Sequence, residues 1–133
     1  MKILKNDNHL NYQYFKIKDC FNLLGSNIDK YDFIIRLRPD ITIKDICYYN
    51  DSIIFNENIW FNYPYQKNGY INEMIWISNP ELMKKSIEIY DNLEKINQSL
   101  NVLCGEMVCY KNLEIEKILD KVKTFNFKYN VIR

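Results

Sequence analysis

Ten consecutive residues, Tyr31-Asp32-Phe33-Ile34-Ile35-Arg36-Leu37-Arg38-Pro39-Asp40, leave this chain few ways to fold. They read as a buried strand ending in a charged corner. Side chains alternate faces along a strand, so Phe33, Ile35 and Leu37 share one side, and Ile34, Arg36, Arg38 and Asp40 share the other. The apolar set is expected to pack, with the two arginines pointing together elsewhere. Pro39 has no N–H for a central ladder and should end the strand, which is expected to run from Asp32 to about Leu37 at the sheet's centre. Asp40 then stands at the strand's carboxyl end, where open α/β sheets usually place ligands.

Composition sharpens the reading of that corner. The chain has 18 lysines and arginines, only three of them arginine, and no alanine. An AT-rich genome accounts for this bias, and it makes a surface lysine uninformative. Two of the arginines, Arg36 and Arg38, sit in one strand, where their planar forks of donors suit a carboxylate or phosphate. Two readings are open: a phosphate or metal-phosphate site, or an internal ion-pair network in which Asp40 pairs an arginine.

Other classes are disfavoured. At 133 residues the chain is one domain, and its net charge of +1 shows no basic block of the kind that grips nucleic acid. No run approaches the roughly 20 apolar residues needed for a membrane span. The start lacks a signal-peptide core, so the expected setting is cytoplasmic. Cys20, Cys47, Cys104 and Cys109 match no metal or redox spacing and are expected as free, buried thiols. His9 lies among asparagines and suits solvent better than catalysis.

Along the chain, residues 2–4 are a short strand or a frayed end. Residues 10–24 are expected as a helix on the spacing of Leu10, Tyr14, Ile17, Phe21 and Leu24, with Gly25 as its C-cap. An edge strand is expected at 41–43, short strands at 52–55 and 58–61, and a loop rich in tyrosine and asparagine at 62–70. Residues 74–77 form a compact strand. A long helix follows, capped either by Ser78 with Glu81 or by Asn79 with Pro80. Helix is also expected at 106–110 and 113–122, and a half-exposed strand at 124–132. The order fits an α/β fold, a mixed and mainly parallel sheet flanked by helices. With only three glycines, a glycine-rich phosphate cradle is excluded.

The segment around Arg36 also resembles a YD-hydrophobic-IR-x-RPD stretch found in a loose group of glycosyltransferase-like proteins of bacteria, large DNA viruses and plants. The resemblance is strong over about ten residues and diffuse elsewhere, where Asn72-Glu73 before a strand and Gly105-Glu106 before a helix fall in a similar order. It implies a partial GT-A-like (Rossmann-like) fold lacking the leading βαβαβ half, and transfer of a sugar from a nucleotide-sugar donor to a hydroxyl acceptor. It implies Mn2+ or Mg2+ at Asp40, diphosphate at Arg36 and Arg38, and Glu106 as base, with Asp40 also catalytic. Asn72 and Glu73 would supply polar groups to the acceptor. Tyr63 and Tyr65 suit stacking against a sugar ring. Against each stands a structural account: a turn at Asn72-Glu73, and Glu106 stabilised by roughly 0.3–1 kcal/mol at a helix N-terminus. The alternative function is a non-catalytic module that binds a nucleotide or sugar, forms a homo-oligomer, or meets a protein partner at an unfilled sheet edge.

Overall fold

A computed structural model of the chain describes residues 8–45, 57–62, 65–66, 69–101, 104–125 and 128–132. Helix α1 spans Asn8–Asn22 and buries Tyr14. Gly25, at a positive φ of 52°, turns the chain into a 3-10 segment, Gly25–Lys30. Strands β1 (Ile34–Leu37), β2 (Ile41–Asp45), β3 (Ile59–Asn62), β4 (Tyr65–Gln66), β5 (Tyr70–Ile71) and β6 (Ile75–Ser78) follow. Helices α2 (Pro80–Ile87), α3 (Ile89–Ser99) and α4 (Gly105–Ile115) come next, then β7 (Val122–Phe125) and β8 (Lys128–Val131).

The main sheet has the order β1-β6-β3-β7. β6 runs antiparallel to both β1 and β3, while β3 and β7 are parallel. A parallel pair needs a long crossover, and here α2, α3 and α4 lie between its strands in sequence. The fold is thus the expected mixed α/β sheet flanked by helices; within it, antiparallel contacts outnumber the parallel one. β2 and β8 form a separate antiparallel ribbon.

Alternation sorts the core into two layers. Ile59, Phe61 and Trp76 face the helices and pack with Tyr14, Met83, Ile87, Leu93 and Leu113. Ile75, Ile77 and Phe125 face the opposite way and meet Trp60 and Ile41. The long helix is capped by Asn79, whose Oδ1 accepts from Leu82 N at 2.8 Å with Pro80 in the first turn; the Ser78 register is not used. It breaks at Glu88, which separates α2 from α3.

Several expectations are corrected. β1 starts at Ile34, not Asp32, and lies at the edge of the described sheet, not its centre. Its faces are also reversed: Ile35 and Leu37 are 48% and 47% exposed, whereas Arg36 turns toward the helical layer. A guanidinium can enter such a layer because its plane stacks on an aromatic face, here Trp76, with the centre of charge 4.6 Å from the ring centroid. Helix does not continue through 113–122. It stops at Ile115, where Lys117 takes φ 57° and Ile118 N donates back to Leu113 O. The half-exposed final strand divides into β7 and β8, which join different sheets. The 62–70 loop contains β4 and part of β5. Cys20 is exposed, because it falls on the outer side of α1, while Cys109 is buried. The strands expected at 2–4 and 52–55, like Cys47, lie outside the described residues.

Candidate functional site

β1 delivers its polar face to one end of the helical layer. Arg38 N donates to Met74 O at 3.2 Å, carrying the β1–β6 pairing one step past the strand. Pro39 and Asp40 then turn away. The turn brings the Asp40 carboxylate back onto the Arg38 fork: Nε to Oδ1 at 2.9 Å and Nη2 to Oδ2 at 2.6 Å. These charged hydrogen bonds hold the Asp40 carboxyl below the usual carboxylate range and raise Arg38.

The third Arg38 nitrogen reaches inward. Nη1 lies 3.5 Å from Oε1 of Glu73, whose side chain is only 7% exposed. The other Glu73 oxygen is 3.3 Å from Gln13 Nε2, 3.3 Å from the Tyr14 hydroxyl and 3.9 Å from Cys109 Sγ. The Tyr14 hydroxyl also lies 3.1 Å from the Gly105 carbonyl, so its single proton serves one acceptor at a time. Burial, then the neighbouring Cys109 and Glu73, pushes the Tyr14 phenol well up; burial and Glu73 do the same to the Cys109 thiol. Both therefore stay protonated at neutral pH, as donors. A Cβ on Gly105 would stand 2.7 Å from the Glu73 carboxyl carbon, so the glycine is what lets α4 approach this carboxylate.

Arg36 completes the cluster differently. Burial lowers its pKa and Arg38 adds repulsion, while Cys109, Glu73 and Tyr14 act in the opposite direction. Its Nη1 is buried and, among the described residues, meets no hydrogen-bond acceptor. An unmet buried donor costs about 1–3 kcal/mol.

Arg36 and Arg38 border a groove of about 750 Å3. One wall is α1, through Tyr12, Gln13, Lys16, Ile17, Cys20 and Phe21; the other is every residue from Ile34 to Asp40; Met83 and Ile87 are also exposed to it. Consecutive residues of both parities can border one cavity only if it runs along the strand's backbone edge. The groove is thus the space beside β1, roofed by α1, with a charged end and an apolar length.

The residues singled out from sequence separate into two sets. Arg36, Arg38, Asp40 and Glu73 come together. Asp40 is 36% exposed at the carboxyl end of β1, with an arginine in salt-bridge reach. Asn72 is not in the groove wall: its Oδ1 accepts from Met74 N at 3.0 Å and its Nδ2 donates to the Tyr129 hydroxyl at 3.3 Å, which makes it a turn residue tying β8 to the sheet. Glu106 occupies the first turn of α4, beside the Cys104 thiol, and does not line the groove. Tyr63 and the Tyr65 side chain lie outside the described residues. Gln13, Tyr14, Gly105 and Cys109 carry no sequence signal of their role, since Tyr14 reads as one more apolar position of an amphipathic helix.

The donor set does not fit a divalent metal. Mg2+ and Mn2+ take oxygen ligands in number. Here Asp40 and Glu73 are both engaged by Arg38, and among the described residues no three acidic, cysteine or histidine side chains converge on one point.

The fold and the site together define a small α/β module with a partly apolar, arginine-ended groove. Comparisons with protein-family models, curated proteins and solved structures found no match.

Proposed function

We propose that the chain is a small-molecule-binding module whose groove takes a phosphate-bearing ligand of the nucleotide or nucleotide-sugar type. The carrying observation is Arg36: a buried guanidinium donor without an acceptor, on a residue that borders a groove of about 750 Å3. An anionic oxygen would satisfy that donor and offset the burial that disfavours its charge. The volume lies within the roughly 300–1,000 Å3 usual for ligand sites. Tyr12, exposed on the wall, offers a ring for a base or sugar.

The resemblance to glycosyltransferases favours a nucleotide-sugar over other phosphates. We assign the groove to binding and leave transfer to the test, because Asp40 and Glu73 are held by Arg38 and Glu106 faces elsewhere. Recognition through Arg36 needs no metal. Free thiols at Cys20, Cys104 and Cys109 suit a cytoplasmic setting.

Isothermal titration with UDP, GDP and common nucleotide sugars, with and without Mn2+, tests the reading. Metal-independent binding that weakens in Arg36→Met supports it. No heat with any ligand at millimolar concentration rejects it, and binding that requires Mn2+ rejects the arginine assignment in favour of Asp40.

A further inference from the structure

The open edge of β1 carries a pattern that the ligand reading does not use. Arg38 N bonds to Met74 O, so residues 34, 36 and 38 direct their backbone groups at β6, and residues 33, 35 and 37 direct theirs outward. Among the described residues no strand covers that edge. The outward-facing side is also apolar. Of the eleven large hydrophobic side chains exposed among the described residues, seven belong to α1, the segment after it, and β1: Tyr12, Phe15, Leu23, Tyr31, Phe33, Ile35 and Leu37. An exposed apolar edge strand is a template for pairing with another chain.

The sequence of the edge is complementary to itself. Antiparallel pairing about a two-fold axis at Ile35 sets Ile35 against Ile35 of a second copy, and Leu37 against its Phe33. The same register brings Asp32 toward Arg38 of the second copy, and Lys30 toward its Asp40, so both flanks meet opposite charge. A one-residue slip would set apolar side chains against the polar face instead. A two-fold interface requires this self-complementarity, each residue of a pair appearing once on either side.

We infer that β1 pairs with β1 of a second copy, in antiparallel register centred on Ile35, to form one continuous sheet with both α1 helices on the same side. The pairing closes the groove along its open length. It also places Arg36 of the two copies diagonally on the helical face, about 7–8 Å apart by the usual cross-strand geometry. Two guanidinium groups then face one space.

Sedimentation velocity over a concentration series from about 1 to about 200 µM decides, since a dimer forms by mass action. The expected result is a monomer–dimer equilibrium in the wild-type chain. Ile35→Lys sets like charges directly opposite each other at the axis and is expected to weaken association at least roughly tenfold. Because Ile35 is half exposed, its circular dichroism spectrum and melting midpoint should stay close to wild type. If that variant does not fold, Leu37→Lys, 47% exposed, makes the same test. A wild-type monomer at every concentration overturns the proposal and leaves the edge to another chain. A dimer that persists unweakened in the folded variant overturns it equally, by placing the interface elsewhere.

Discussion

β1 and β6 are neighbouring strands of four residues each, Ile-Ile-Arg-Leu and Ile-Trp-Ile-Ser. Every residue of β6 is buried, whereas β1 alternates between half-buried and exposed. Hydrophobicity does not separate them, since β1 carries three aliphatic residues. Position does: β6 has a strand on each side and a packed layer on each face, while β1 has one neighbour and a groove. An apolar residue that the topology leaves half in water is available for a ligand or another chain, and the arginine beside it is available for chemistry.

The largest effects should fall on the β6 side of this comparison. Trp76→Ala removes a side chain that is 1% exposed, packs edge-on against Phe61 at 5.4 Å and supports Arg36; a loss of about 3–5 kcal/mol is expected in urea unfolding. Ile35→Thr, read in a dilute monomer, should stay within about 0.5 kcal/mol. Similar losses for the two would erase the distinction between the strands.

Next comes the carboxylate on which both regions converge. Glu73→Leu strands Arg36 and Arg38 without their buried counter-charge and leaves Gln13 and Tyr14 without an acceptor. A cost of roughly 3 kcal/mol or more is expected from thermal melts. Asp40→Asn should be far milder, within about 0–1 kcal/mol at neutral pH, because that pair is partly exposed. The sign can be checked by titration. Arg38 lowers Asp40 in the folded state, so the pair's stability is present above the ordinary carboxylate pKa and is lost as pH falls through the lowered value. Wild type and Asp40→Asn should therefore converge in acid. A large loss in Asp40→Asn at neutral pH would make this corner a structural pair.

The smallest effect is alkaline. Burial raises Cys109 and Tyr14, so above about pH 8.5 the unfolded chain loses protons that the folded chain keeps. Stability should fall as pH rises from there, and Cys109→Ala should flatten the first part of the decline. An unchanged slope would mean that the thiol is less isolated from water than its burial indicates.

Much of this was legible in residues. The periodicity around Tyr14 and Ile17 places α1, Asn79 before Pro80 places the start of α2, and the alternation with Pro39 places Arg36, Arg38 and Asp40 on one side with Asp40 beyond the ladder. Three things were not legible. Strand order is decided by long-range pairing, so nothing within Asp32–Leu37 distinguishes an edge from a centre. The inward turn of Arg36 depends on Trp76, forty residues away in sequence. Glu73 reads as a turn residue until α1 and α4 close over it, and the space that admits it comes from Gly105.

The central claim is that β1 is a true open edge, and backbone amide exchange of Arg36 and Leu37, followed by NMR, tests it most directly. Arg36 N–H points at β6 and Leu37 N–H points away, so in dilute protein Arg36 should exchange slowly and Leu37 fast. On concentration, Leu37 should slow while Arg36 stays as it was. A Leu37 amide as protected as Arg36 at the lowest concentration would contradict the account, because the edge would already be filled within a single chain.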